Sequence, residues 1–484
     1  MEKSNLNAET IVLGGGVVGL SVAVELAKNG VKTLLAFPME GNITSATLAA
    51  GAMLGAFGEV TADDGPGEVE ELEFRLAAQR QYPEWLADIE DRSQRKVHQG
   101  KGTFIIANNE GVCDRASINR MKAEADRLGE PTSWVEPDEV PGLKPSTAYA
   151  PSLCLHLKNE NSVDSAQLVE ALYASVKHLP EITHIDDAVV SVQPQGTVWI
   201  VTTRKGVVMS APNVVLAAGS RSFEILSNEL RDAAKLPELY FGKGVSLLVK
   251  SGPKIPQTIR TPNRAFACGI HVVPRGHSEH LYVGATNFLG TDHEQELGVQ
   301  LGELHGLIDE TVHQINTEIR TSRIDLIRTG FRPISSLRKP IVGETALKGL
   351  FVATGTYRNG ILMAPRVAQI IADSLGVRRH GERVHNPFPV VNNSPAQEGW
   401  DLSRLSQIGI RDIIGFLQEP RGPLPFNRAG ELETYVRALF EMSIMDEQRH
   451  VEMRNYMRAR LNEAPFNETM HKLFYEIIDK VKDA

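Results

Sequence analysis

Thr10-Ile-Val-Leu-Gly-Gly-Gly-Val-Val-Gly-Leu20 is the stretch whose reading decides the fold. Four β-branched or apolar residues read as a buried strand and run straight into glycines, after which Leu20 to Lys28 keep the spacing of an amphipathic helix closed by Asn29-Gly30. A second apolar run, Val31 to Phe37, follows at once. Strand, glycine turn, helix and strand in this order have the length of a right-handed parallel crossover, the opening unit of a dinucleotide-binding fold. Within it Gly14-x-Gly16-x-x-Gly19, with Val17 and Val18 at the variable places, suits a pyrophosphate. Glycines allow the tight turn and close backbone approach, and the helix start presents unpaired N–H groups to the anion. A glycine turn without a ligand is the plain alternative, and the strand-turn-helix context argues against it.

The same fingerprint expects an acidic residue at the end of the second strand to hold the adenosine ribose. Phe37 stands there, and Glu40 follows three residues later. The adenosine end is therefore expected to be held differently from the usual pattern.

Working outward, the chain has 484 residues, a formal charge of −9 and no basic block, which disfavours broad nucleic-acid or anionic-membrane binding and favours small-molecule partners. Three widely spaced cysteines, Cys113, Cys154 and Cys268, support neither a disulfide framework nor a zinc knuckle, so a reducing cytoplasm is expected. Neither a signal peptide nor an apolar run of spanning length is read.

Further along, charged helical text from Glu59 to Arg95 precedes a strand at 102–107 and a helix at 115–128. Asp164-Ser165 starts a capped helix through Val176, a strand meander fills 185–216, and Glu294 to Ile319 reads as one long helix. Strands at 341–343 and 350–355 and a helix at 363–375 return to the nucleotide unit. The expected architecture is α/β: a Rossmann-like doubly wound domain (1–95, 150–225 and 325–390) interleaved with a mixed-sheet α+β substrate domain (96–149 and 226–324). A C-terminal helical extension, 395–484, completes it. That extension repeats Glu-x-x-His at Glu447/His450 and Glu468/His471, a di-iron spacing that lacks its two further carboxylates, so no metal is expected. Packing on the other domains, on a second subunit or on a protein partner is its expected role.

Four blocks resemble the glycine oxidase and D-amino-acid oxidase superfamily of FAD-dependent oxidoreductases, nearest its glycine oxidase branch. Thr44 to Leu54 is similar to its flavin-contacting segment, and Val214-Val-Leu-Ala-Ala-Gly-Ser220 to the strand beneath the nucleotide. Gly330-Phe-Arg-Pro333 with Pro340-Ile-Val-Gly343 resembles its substrate-arginine strand, and Gly355 to Pro365 its C-terminal signature. The resemblance implies FAD contacts at Gly14, Gly16, Val17, Val18, Gly19, Phe37, Thr44, Ser45, Ala50, Gly51, Ala52, Met53, Val189, Ala218, Gly219, Arg332, Arg358, Asn359, Gly360, Ile361 and Leu362. With no cysteine in the C-terminal signature, the FAD is expected to be non-covalent. For substrate, the resemblance implies Arg332 as the carboxylate-binding residue, a role that a planar two-pronged donor fills better than Lys. Arg358 is a second candidate, and Met53 lines the same pocket by resemblance. His271 stands where glycine oxidases carry a tyrosine, and Asn287 where they carry a methionine, which makes the pocket more polar. His271 reads equally well as a strand histidine satisfied by its neighbours.

The function implied is oxidative deamination of a small amino acid or carboxylate-bearing secondary amine. A hydride passes from the α-carbon to flavin, the imine hydrolyses, and O2 or another acceptor reoxidises the cofactor. No catalytic side chain is obligatory, and no Ser-His-acid constellation stands out in the text. The alternatives are an amine dehydrogenase with a different acceptor, or a non-catalytic scaffold derived from a flavoprotein.

Overall fold

The computed structural model describes residues 5–39, 45–62, 66–108, 114–263, 268–276, 279–290, 293–294, 296–337 and 339–390. The helical extension with its Glu-x-x-His pairs, together with Glu40, Thr44 and Cys113, lies outside the described residues.

Thr10–Leu13 and Thr33–Ala36 are buried at every position, the signature of strands covered on both faces. They lie side by side in a six-stranded sheet, ordered Ile182–Ile185, Thr33–Ala36, Thr10–Leu13, Asn213–Leu216, Leu350–Thr354, Ile341–Glu344. The first five run parallel and the last antiparallel. Val12 and Leu35 pack on one face against helices Val17–Lys28, Pro66–Ser93, Ser165–His178 and Gly360–Ser374, while Ile11, Leu13 and Leu34 pack on the other against Trp199, Met209 and Phe223. The strand order reverses between Thr10–Leu13 and Asn213–Leu216, and crevices at the carboxyl ends of such switch points are where these sheets bind ligands.

A nine-stranded mixed sheet forms the second layer system. Its longest pair, Leu239–Lys250 with Arg323–Ser335, is antiparallel and lies at one end of the sheet, and a parallel contact joins Thr258–Arg260 to Thr103–Ala107. We propose the interleaved two-domain division with two seams moved: Leu153–Leu157 and Arg323–Ser335 pair within the larger sheet, so each belongs to the substrate side. One helix is shorter than its text suggests. It spans Leu301–Gln314, because Gln300 and Glu303 close a reciprocal capping box there, and a separate 3-10 turn holds Thr317–Thr321. Asp164 caps Ser165–His178 by accepting from Ala166 and Gln167 N–H, as the sequence predicts.

Candidate active site

At the switch point Leu13 and Leu216 deliver Gly14 and Ala217 to one crevice. A cavity of about 800 Å³ opens there, lined by Phe37 and Val189 at one end, by Gly14, Gly16, Ala218 and Gly219 in the middle, and by Ser220 and Glu224 at the other. Gly14 has φ +132°, and a Cβ on it would lie 2.6 Å from the Ala217 carbonyl carbon, so no other residue fits. Gly16 begins helix Val17–Lys28 with no side-chain cap. Val17 N–H donates to Thr47 Oγ1 (3.2 Å), and the helix start, with the positive end of its dipole, borders the smaller cavity through Gly16, Val17 and Val18, an arrangement suited to an anion.

The larger sheet grips the segment that follows. Leu48 O accepts from Arg328 Nη1 (2.5 Å), and Ala49 O from both Tyr282 Oη and Ser246 Oγ, each at 2.9 Å. Ala50 O and Gly51 O accept from the buried Arg275 guanidinium (3.1 and 3.3 Å). Ser45 caps the short helix Ala46–Ala49, and Ala52 is held at φ +54°. Left-handed backbone at a non-glycine residue costs on the order of 1–3 kcal/mol and persists only where surrounding contacts over-determine it. Tyr357 (φ +46°) is a second case, at the facing wall.

Between these walls lies a smaller cavity of about 100 Å³, lined by Gly16, Val17, Val18, Thr47 and Ala50 on one side and by Arg332, Tyr357, Arg358, Gly360 and Ile361 on the other. Arg332 lies opposite Gly242 in the long strand pair. Its guanidinium rests on the backbone of Gly244, where a Cβ would fall 2.5 Å from Cζ and Nη1. Nη1 donates to Thr286 O (3.0 Å) and to Asn287 Oδ1 (2.9 Å), while Asn287 Nδ2 donates to the Tyr357 hydroxyl (2.6 Å). Among the described residues, Arg332 Nε and Nη2 have no partner and remain open to a carboxylate. The strand's period of two turns Lys243 the other way, where its buried ammonium meets Glu296 (3.2 Å) and Glu303 (3.1 Å) and ties helix Leu301–Gln314 to the sheet. Helix Gly360–Ser374 also starts without a side-chain cap, which brings a second set of unpaired N–H groups to this cavity.

Arg358 lies 3.6 Å from Glu59 and stacks over the Tyr357 ring (4.5 Å to its centre). Burial pushes the Glu59 carboxyl up, but Arg358, Arg260 and Arg75 with the Asn263 hydrogen bond outweigh it and hold Glu59 below the usual carboxylate value. His271 is buried and stacked on Tyr282 (5.6 Å between ring centres). Its Nδ1 lies 2.9 Å from Gly269 O. A carbonyl only accepts, so Nδ1 carries the proton. Burial, then the charge of Arg260, depresses the imidazole to about 3, with Arg332 adding to the effect. The ring is thus neutral, with Nδ1 held by Gly269 O and Nε2 beside Gly51.

Of the residues named from sequence, Gly14, Gly16, Val17, Val18, Phe37, Ser45, Ala50, Val189, Ala218, Gly219, Arg332, Arg358, Gly360 and Ile361 line the two cavities. Gly19 instead packs on Gly14, Met53 pairs with Ser162 in a small sheet, and Gly51, Ala52, Asn359, Leu362, His271 and Asn287 line neither of the two cavities. Thr47, Gly244, Tyr357, Glu59 and Arg275 were not singled out. Of these, Thr47 and Tyr357 lie inside quoted blocks, at Thr44 to Leu54 and Gly355 to Pro365.

The expectation of no Ser-His-acid arrangement is corrected. Ser220 Oγ lies 2.8 Å from His293 Nε2, and His293 Nδ1 lies 2.7 Å from Glu224 Oε1. Residues 73 positions apart give no local spacing to read. Arg221 N–H and Ser222 N–H are spent on Ala218 O and Gly219 O, so neither is free to serve as an oxyanion donor. The trio fastens the His293 loop to the turn Gly219–Arg221.

Helices of the described residues include none long and apolar enough to cross a membrane. A glycine oxidase of Bacillus licheniformis is 29% identical over 370 residues, covering 76% of this chain and 92% of its own. Among solved structures, glycine oxidase from Geobacillus kaustophilus superposes with a TM-score of 0.69 at 23% identity, covering 81% of this chain and all of that one. Iminodiacetate oxidase from a Chelativorans species gives 0.64 at 17%, covering 79% and 100%, which extends the likeness of fold. The profile of the FAD dependent oxidoreductase family, DAO, matches residues 9–374, and the chain belongs to that family of FAD-dependent oxidoreductases.

Proposed function

We propose that the chain oxidises a small amino acid, or a secondary amine bearing a carboxylate, by hydride loss from the α-carbon to non-covalent FAD. The observation that carries this reading is Arg332: a guanidinium braced on Gly244 and Asn287, with two donor positions open on the cavity that faces the uncapped helix start at Gly360.

The residues present fit the cofactor. The uncapped start at Gly16 and the cavity alongside it would hold the pyrophosphate, and the N–H groups at Gly360 and Ile361 would face negative charge on a reduced ring. When bound, FAD supplies the two-electron acceptor. The chain itself binds and orients. Arg332 fixes the carboxylate, Asn287 and Tyr357 fix Arg332, and neutral His271 adds no competing charge. Water then converts the imine to an oxo acid with release of ammonia or the smaller amine, and O2 reoxidises the cofactor.

The test is an anaerobic bleaching screen of the yellow protein with glycine, sarcosine, D-amino acids and larger N-substituted glycines. Glycine belongs in it because the Bacillus licheniformis relative is a glycine oxidase. Bleaching by a carboxylate-bearing amine, with hydrogen peroxide on re-aeration, supports the proposal. Fast dye reduction without peroxide would make the chain a dehydrogenase, and bleaching by none of them would overturn the substrate reading. Full release of the yellow colour on acid denaturation checks the non-covalent link.

A further inference from the structure

The ribose carboxylate expected at the end of the second parallel strand has no counterpart at Phe37, and the structure brings one in from the neighbouring strand. We propose that Asp186 accepts a hydrogen bond from the 2′-hydroxyl of the FAD adenosine ribose. This rests on the family's cofactor and not on the amine substrate. A protein that holds FAD through Asp186 yet is bleached by no amine would keep this inference and lose the other.

Three observations place the group. Ile182–Ile185 runs parallel to Thr33–Ala36 with Ile185 opposite Ala36, so Asp186 and Phe37 emerge side by side at the carboxyl edge of the sheet. Asp186 Oδ1 accepts from Met39 N–H at 2.7 Å, which aims the carboxylate at the turn after Phe37, and among the described residues its Oδ2 has no partner. Asp186 and Phe37 line the same cavity as Gly14, where the pyrophosphate site lies, and Val189.

The neighbouring residues explain how the turn is held and why Phe37 does not block it. Asp187 is buried and accepts from Ala188 N–H (2.8 Å) and Lys205 N–H (2.7 Å), fixing the loop that carries Asp186. The Phe37 ring folds back over Gly15, where a Cβ would fall 2.2 Å from the ring, and packs against His184 with 4.4 Å between ring centres. The position that ordinarily supplies the acid is therefore an apolar floor, and the acceptor stands one strand over, at the outer edge of the sheet.

The test titrates FAD and its 2′-deoxyadenosine analogue into flavin-stripped protein, for the parent and for Asp186→Asn, following flavin fluorescence, with thermal unfolding of the stripped protein alongside. Asn keeps an acceptor for Met39 N–H and removes the charge. A hydrogen bond to a charged group predicts that Asp186→Asn weakens FAD by roughly ten- to a hundredfold. The parent should discriminate against the deoxy analogue by about as much, and the variant should not, with the unfolding midpoint unchanged. FAD affinity within twofold of the parent, or undiminished discrimination against the deoxy analogue in the variant, would overturn the assignment. Asp186→Ala provides a second variant read the same way: equal losses for both ligands would mark Asp186 as a turn residue only.

Discussion

Gly244→Ala isolates the role of Arg332 without touching a charged atom. The added methyl would sit 2.5 Å from Cζ and Nη1 and closer still to Nη2. Carbon contacts settle near 3.5–4.0 Å, so the guanidinium must retreat by roughly 1 Å or more. A misplacement of about that size in a positioning group costs up to about a hundredfold. The substrate dissociation constant from anaerobic flavin bleaching should therefore rise by roughly ten- to a hundredfold. Stability should hold within about 1 kcal/mol, because the displaced atoms end a flexible side chain and Ala suits a strand better than Gly. The double variant Gly244→Ala/Arg332→Leu decides the matter. If the methyl acts through the guanidinium, the double variant binds no worse than Arg332→Leu alone. Additive losses, or an unchanged dissociation constant in Gly244→Ala, would refute the reasoning.

Lys243→Met should lower stability by about 3–5 kcal/mol in denaturant melts, because it leaves Glu296 and the buried Glu303 facing each other without their shared cation; adding Glu303→Gln should recover part of it. Stability should also respond to pH with two opposed slopes. His271, depressed to about 3 chiefly by burial, binds its proton less readily when folded, so its contribution is lost as pH falls from about 6.5 toward 3, by at most about 5 kcal/mol, and His271→Gln should flatten that limb. Glu160, pushed up to about 7 chiefly by burial, binds its proton more readily when folded, so its contribution is lost as pH rises from about 4.5 toward 7, by about 3 kcal/mol, and Glu160→Gln should remove that loss. Urea melts across pH 4 to 8 read both; unchanged slopes in the variants would sink the assignments.

The nucleotide half was legible because its information is local. Thr10 to Gly19 states strand, turn and helix start within ten residues, and Asp164-Ser165 states a cap. The helix over 301–314 is overrun in the sequence reading because the polar amphipathic text continues on both sides of its capping box, Gln300 with Glu303, although Gly298, at φ +85°, breaks the chain just before it. What holds the substrate side is non-local. Gly244 matters only because Arg332 lies across it from the paired strand, Arg275 because it reaches three carbonyls, at Ala50, Gly51 and Val163, and Glu59 because Arg260 and Arg358 converge on it. Asp186 belongs to the same class. A carboxylate about 170 positions from the glycine turn cannot be tied to it by spacing, only by the parallel pairing that sets Ile185 against Ala36.

Sequence left Arg332 and Arg358 as rivals for one carboxylate, and geometry separates them through their partners. Arg332 spends one nitrogen on neutral acceptors, Thr286 O and Asn287 Oδ1, and keeps its full charge for a ligand. Arg358 faces Glu59, a carboxylate already held below its usual value by three arginines, so its charge balances one inside the wall. The two truncations should then fail differently. Arg332→Leu should raise the substrate dissociation constant by about 2–5 kcal/mol worth of affinity, as for a desolvated pair losing one partner, and leave the melting curve nearly in place. Arg358→Leu should weaken substrate less than tenfold but cost about 1–3 kcal/mol of stability, because the largely enclosed Glu59 loses one neutralising partner while keeping Arg260 and Asn263. Restoring neutrality with Glu59→Gln in the Arg358→Leu background should return part of that stability and none of the Arg332 effect. If Arg358→Leu instead abolished substrate capture at an unchanged melting point, the carboxylate clamp would belong to Arg358 and the assignment to Arg332 would fall.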